Sequence, residues 1–231
     1  MRSYLVFLLL LVVKVLSRTF YRVDMRWIGD VPSEPWRHIR LVAVLNHTSL
    51  YEPIFTGGCP TRFLWRIARH GVVPIAQKTA GRPLVGGFYK LIANRVITIT
   101  RERDETWEQL LAHVDPDAMV TLLPEGRMKR AGGLDSEGRR MTVRGGIADI
   151  LESIGEGRML LAYSGGLHHV QSPGERFPRL WRTVRMRLEV VDIASYRTAI
   201  LSQAGPQGWK RAVIEDLERR RDLNCPPEEP A

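Results

Sequence analysis

Hydrophobic positions along this chain fall into three rhythms. The first is an unbroken apolar run, YLVFLLLLVV over residues 4–13, followed by Lys14 and then by Arg18, Arg22 and Arg26. The second is a set of short β-type stretches. RVDMRWIGD (22–30) alternates loosely and ends in a turn, and HIRLVAVL (38–45), mostly apolar, has the pattern of a buried strand. RVITIT (95–100) is β-branched, and AMVTLLPEG (118–126) and RMLLAYSGG (158–166) both stop at glycine turns. VRMRLEVVDI (184–193) alternates cleanly, which predicts a strand with one wet face. The third rhythm is helical and covers residues 82–94, 104–114, 145–154 and 208–221. TRFLWRIARH (61–70) fits either a strand or a short helix.

Strands and helices therefore alternate through most of the chain, the signature of an α/β domain. The predicted architecture is a single domain with a mixed, largely parallel central sheet flanked by helices, preceded by an N-terminal membrane-associated helix. Between the last two glycine-turn strands lies RMKRAGGLDSEGRRMTVRGG, which reads as a basic, exposed loop. The closing NCPPEEPA reads as a disordered tail.

Length and composition narrow this further. A chain of 231 residues with 44% apolar and 26% charged positions has room for one full hydrophobic core. The formal charge of +9 suits an anionic partner: nucleic acid, a phospholipid surface or a phosphorylated substrate. Two cysteines, Cys59 and Cys225, form no CxxC or zinc spacing, so a reducing compartment fits and a disulfide framework does not. The apolar run is shorter than the about 20 residues of a comfortable membrane span. It lacks a small-x-small cleavage site and is basic on one flank, so it reads as a retained anchor lying in one leaflet. A buried core helix is the alternative of the same length.

The chemistry concentrates at strand ends. In LNHTSLYEP (45–53), His47 and Glu52 stand five positions apart. On a continuous helix that spacing turns them about 140° apart. Pro53 biases Glu52 away from helical geometry, so a turn can fold the carboxylate back onto the imidazole and orient it as a general base. Lys78, Arg101, Arg127, Lys129, Arg130 and Arg144 cluster near other strand ends and the glycine-rich loop, which together predicts an anion site.

At these residues the sequence resembles the glycerolipid acyltransferases of the PlsC type. NHTSLYEP resembles their Asn-His-x-Ser-x-x-Asp-Pro block, and QKTAGRPLVGGFYKLIANRVITITR their lysine, Pro-x-x-Gly and Ile-x-Arg block. LLPEGRMKR resembles Phe-Pro-Glu-Gly-Thr-Arg-Ser, and TVRGGIADI and MLLAYSGG the segments that follow, all in family order between about residues 22 and 170. The resemblance implies an O-acyltransferase of phospholipid biosynthesis. A fatty acyl group would pass from acyl-CoA or acyl carrier protein to the free hydroxyl of a lysophospholipid, 1-acylglycerol-3-phosphate foremost. It implies His47 as general base oriented by Glu52, and Lys78, Arg101, Arg127, Lys129 and Arg144 on the substrate phosphate. Asn46, Ser49, Pro124, Glu125 and Gly126 would shape the acceptor pocket. No metal, prosthetic group or nucleic acid is implied, and the expected location is the cytoplasmic face of an inner membrane. The organisation expected is an anchor at 1–21, the acyltransferase domain at 22–205, an amphipathic helix at 206–223 and the tail at 224–231.

Two positions depart from the family pattern. Glu52 is one methylene longer than the usual aspartate, and Met128 stands where the third block has arginine. A lipid-binding member of the same fold without turnover is thus one alternative. A lipase-like hydrolase using Ser164 in AYSGG is another, but its acid and histidine should follow the serine, and the last histidine is His169. A nucleic-acid-binding module would interleave aromatics with its basic residues, and this chain does not.

Overall fold

The computed structural model describes the chain except for residue 82, residues 101–103, 173, 174, 176 and 229–231, and the side chains of Lys78 and residues 83–85. Seven strands form one sheet: β1 (Arg22–Trp27), β2 (Ile39–Leu45), β3 (Gly71–Ala76), β4 (Arg95–Ile99), β5 (Met119–Leu122), β6 (Arg158–Ser164) and β7 (Thr183–Asp192). Their spatial order is β1-β7-β6-β2-β5-β3-β4. Every neighbouring pair is parallel except β6 with β7, so the sheet is mixed and largely parallel, as expected. β2 lies between β6 and β5, and all three run the same way, so the loops leaving them converge at one edge.

Period-2 alternation sorts the strand residues into two cores. Leu41, Ala43 and Leu45 of β2 face one layer with Val120, Leu161 and Tyr163. That layer is covered by α5 (Glu105–Ala112), α6 (Gly146–Ser153) and α7 (Ile193–Asn224). Val42 faces the other layer with Leu160, Ala162, Val184 and Met186, joined by Ile39 across a register shift between Ile39 and Leu41, and that layer is covered by a 3-10 helix (Glu52–Gly58) and by α2 (Thr61–His70).

The structure resolves the ambiguous stretch 61–70 as helix, burying Phe63, Leu64 and Ala68 between its arginines. It also adds a strand, β3, that the hydrophobic rhythm hid. Gly71 and Pro74 interrupt the pattern, and proline cannot donate to a ladder. Pro74 is tolerated because β3 meets β5 only through Gly71 and Val72, leaving one side of the strand unpaired beyond them. The short α3 (Gln77–Ala80) and α4 (Pro83–Ile92) lead from β3 to β4.

The C-terminal helix begins earlier than its amphipathic half suggests. α7 runs over Ile193–Asn224 with a break at Gly205, whose φ of 65° and ψ of 175° precede Pro206. A proline there removes a helical hydrogen bond, and the left-handed φ suits only glycine at little cost. Both halves pack into one core, since Ile193, Tyr196, Trp209, Val213 and Leu217 share a cluster. Residues 225–228 turn back onto the domain. Pro226 is buried, and Glu228 reaches His168 and Lys129.

The N-terminal helix α1 (Arg2–Phe20) buries only Val6, Leu10 and Ser17. Val6 and Leu10 pack on Leu64 and Ala68 of α2. Ser17 Oγ donates to Ile54 O at 2.5 Å and Lys14 Nζ to Cys59 O at 2.7 Å, fastening α1 across the 3-10 helix. Gly57 permits that approach, because a Cβ there would lie 2.3 Å from Ser17 Oγ. The helix is therefore docked by one face and is not a core helix.

Candidate active site

The His47 turn leaves the C-terminal end of β2, the edge where open α/β sheets gather ligand groups. Asn46 opens it with φ at 65°, a left-handed conformation that asparagine adopts more readily than most residues. The Asn46 side chain donates to Ser164 O at 2.9 Å and accepts from Lys129 Nζ at 3.2 Å, joining the loops after β6 and β5. Glu125, buried at the end of β5, accepts the backbone N–H of Asn46 at 3.2 Å and of His47 at 2.8 Å. Lys129 N–H donates to His47 O at 2.7 Å. The histidine backbone is thus gripped from both sides.

His47 Nδ1 lies 2.9 Å from Glu52 Oε1, with both side chains buried. The approach is close but not aligned as a regular hydrogen bond. Glu52 opens the 3-10 helix, with Pro53 directly behind it. Its Oε1 also accepts the backbone N–H groups of Thr48 and Ser49, each at 3.1 Å. The longer side chain therefore caps its own turn while facing the imidazole. Burial is the largest influence on His47 and disfavours its charged form. The carboxylates of Glu52 and Glu125 together outweigh it, and the imidazole pKa is raised above the ordinary 6.5. A proton on Nδ1 leaves Nε2 as the acceptor, and Nε2 takes no hydrogen bond from the described residues.

The remaining predicted residues separate by role. Ser49 Oγ donates to Gln171 Oε1 at 3.2 Å and accepts from Tyr51 N–H at 3.3 Å, so it stiffens the turn. Pro124 O accepts from Arg144 N–H at 2.9 Å, and Gly126 turns with φ at 63°. Arg127 is paired with buried Asp135, which also takes Arg139. Asp135 Oδ1 accepts the N–H groups of Glu137 and Arg139 at 2.8 and 2.9 Å, so Arg127 ties down the basic loop. Lys129 points at Asn46 and Glu228, and the exposed Arg144 side chain flanks Gly126. Arg101 and the Lys78 side chain lie outside the described residues.

Sequence reasoning missed two partners. Arg221 on α7 reaches Glu125 Oε1 at 3.1 Å, although it lies 96 positions away. His168 Nε2 meets Lys129 O at 2.9 Å, while its Nδ1 lies 3.4 Å from Glu228. The only cue was charge, an Arg-Arg-Arg run and a His-His pair, and neither specifies a target. Beneath Asn46, Glu125 and Lys129 opens a cleft of ≈ 680 Å³, walled by Met141, Arg221 and Pro226.

No family model and no curated protein sequence matches this chain. Among solved structures it is similar to the crystal structure of the 1-acyl-sn-glycerophosphate (LPA) acyltransferase PlsC from Thermotoga maritima. The match has a TM-score of 0.53 and 17% identity, and covers 91% of this chain and 80% of that one. The chain has the PlsC fold. The seven-strand, mostly parallel mixed sheet with flanking helices and the N-terminal apolar helix match that fold. Ser164 is fully buried and is not presented as a nucleophile elbow. Its buried Oγ accepts Gly166 N–H at 3.1 Å, and His168 and His169 turn an imidazole nitrogen to the carbonyls of Lys129 and Thr183.

Proposed function

We propose that this protein is an O-acyltransferase that moves a fatty acyl group from a thioester, acyl-CoA or acyl carrier protein, to the free hydroxyl of a lysophospholipid. The preferred acceptor is 1-acylglycerol-3-phosphate. The observation that carries this reading is the buried His47–Glu52 contact at 2.9 Å, set at the strand-end edge of a PlsC-type sheet.

The chemistry follows from the groups present. His47 Nε2 takes the hydroxyl proton as the acceptor oxygen attacks the thioester carbonyl carbon. Glu52, facing Nδ1 at 2.9 Å, stabilises the imidazolium that forms. The tetrahedral intermediate then collapses with loss of the C–S bond, and His47 returns the proton to the departing thiolate. A thiolate leaves readily, so positioning and proton removal supply most of the acceleration. No acyl-enzyme is needed. Lys129, with Arg144, Lys78 and Arg101, is the basic set available to the acceptor phosphate. Arg127 contributes through the loop it organises. Membrane attachment through α1 would bring the site to its lipid substrate at the cytoplasmic face of the membrane.

The test is an acyl-transfer assay of the purified protein over a panel of lysolipids differing in headgroup, with both thioester donors. Transfer to lysophosphatidate above the other acceptors supports the reading. Donor hydrolysis without transfer, or no turnover with any pair, refutes it.

A further inference from the structure

Large exposed apolar side chains line α1 and stand on the loop before β7. Along α1, Tyr4, Leu5, Leu8, Val12, Val15 and Leu16 are all exposed. At the helical turn angle they span about 120° of arc, opposite the docked face of Val6, Leu10 and Ser17. The loop before β7 comes to the same end of this stripe. Phe177 is 79% exposed and Trp181 68%, values that soluble surfaces avoid for neighbouring aromatics.

The loop is joined to α1 by specific contacts. The Trp181 ring meets Phe20 edge-on with centroids 5.6 Å apart, and Trp181 N–H donates to Phe20 O at 2.7 Å. Phe20 follows Leu16 by one helical turn, so the ring continues the edge of the stripe. Trp181 adopts φ of 63°, a left-handed conformation uncommon for a residue with a bulky side chain. Arg18, Arg22 and Arg182 are exposed around the patch, and Arg22 N–H donates to Arg182 O at 3.0 Å.

We propose that residues 177–182 form a second membrane contact, with Phe177 and Trp181 entering the interface of an anionic bilayer beside α1. Arg18, Arg22 and Arg182 face its headgroups. Tryptophan suits this depth because its ring is apolar and its N–H stays near water. The basic rim supplies the charge complement to anionic lipid, and continuity with the α1 stripe supplies the plane. Two separated contacts fix the tilt of the domain, which a single helix lying in a leaflet leaves free. Because α1 crosses the 3-10 helix that begins at Glu52, that tilt also sets how the His47 edge meets the lipid.

This inference rests on α1 binding membranes, so partition of the full chain onto phosphatidylcholine–phosphatidylglycerol vesicles is measured first, beside a Leu8→Ser/Val12→Ser variant. The expected result for Phe177→Ser/Trp181→Ser is about tenfold weaker partition at unchanged melting temperature, the scale of two lost interfacial aromatics. Brominated lipid should quench a fluorescence component of the wild type that Trp181→Phe lacks. Wild-type partition matched by the loop variant, with the same quenching in Trp181→Phe, overturns the second contact while leaving α1 as anchor. Absence of any wild-type binding overturns both. A wild-type dimer that the loop variant converts to monomer assigns the patch to a second copy of the chain and also overturns it.

Discussion

Arg221, three residues before the end of the last helix, lies 3.1 Å from the buried carboxylate of Glu125, which in turn accepts the backbone N–H of His47. The C-terminal helix thereby supports the floor of the site. Removing the guanidinium leaves a buried carboxylate short of its only ion-pair partner among the described residues. Arg221→Ala should lose about 3 kcal/mol of stability, read by chemical denaturation, and should lower kcat more than KM. An Arg221→Ala protein of wild-type stability and turnover would show that the helix is only a cover.

Glu52 faces His47 Nδ1 at 2.9 Å and, with Glu125, favours the charged imidazole against the burial that opposes it. The raised imidazole pKa means that His47 is protonated, and unable to accept a proton, below a pH that lies above 6.5. The acid limb of kcat/KM should therefore fall above 6.5, with activity lost as pH drops through it. Glu52→Gln keeps the size but removes the charge. It should move that limb to lower pH and reduce kcat by about a hundredfold, while Glu52→Asp should retain more activity than Glu52→Gln. A limb that stays in place in Glu52→Gln would separate the carboxylate from the titration.

Much of this arrangement was legible in the residues alone, for reasons that differ by element. β2, β4, β5 and β6 announce themselves because strands buried on one or both faces leave an apolar or alternating signature. His47 and Glu52 were visible because a proline fixes the turn between a strand and the next element. β3 was hidden by Gly71 and Pro74, whose tolerance depends on which neighbour is paired there. The pairing of Arg127 with Asp135 was not legible, because Asp135 lies in a loop whose fold no local pattern reveals. Arg221 and Glu228 are contacts across about a hundred positions or sixty, set by packing of α7 and not by spacing.

The pairing of Arg127 with Asp135 makes a distinct prediction. If the guanidinium organises the loop, Arg127→Ala and Asp135→Asn should raise KM for the acceptor similarly, and the double variant should be little worse than either. A double-mutant cycle should give a coupling of about 1 kcal/mol or more. Additive effects would return Arg127 to direct contact with substrate.

Glu228 places a carboxylate 3.7 Å from Lys129 Nζ and 3.4 Å from His168 Nδ1. Hydrogen bonding to Glu228 raises the His168 pKa, and the same contact lowers that of Glu228. If Lys129 binds the acceptor phosphate as proposed, the tail would compete with it for that ammonium. Glu228→Gln should lower KM for lysophosphatidate by about two- to fivefold, the scale of a partly exposed ion pair, and leave kcat unchanged. An unchanged KM would detach Lys129 from the acceptor.

The central claim is that His47 moves the proton. Its most direct test is turnover of lysophosphatidate and acyl-CoA by purified His47→Ala, with circular dichroism and melting temperature as controls. The account predicts a folded protein whose transfer rate is lower by about 10²- to 10⁴-fold. A folded His47→Ala protein with near-wild-type transfer would contradict it.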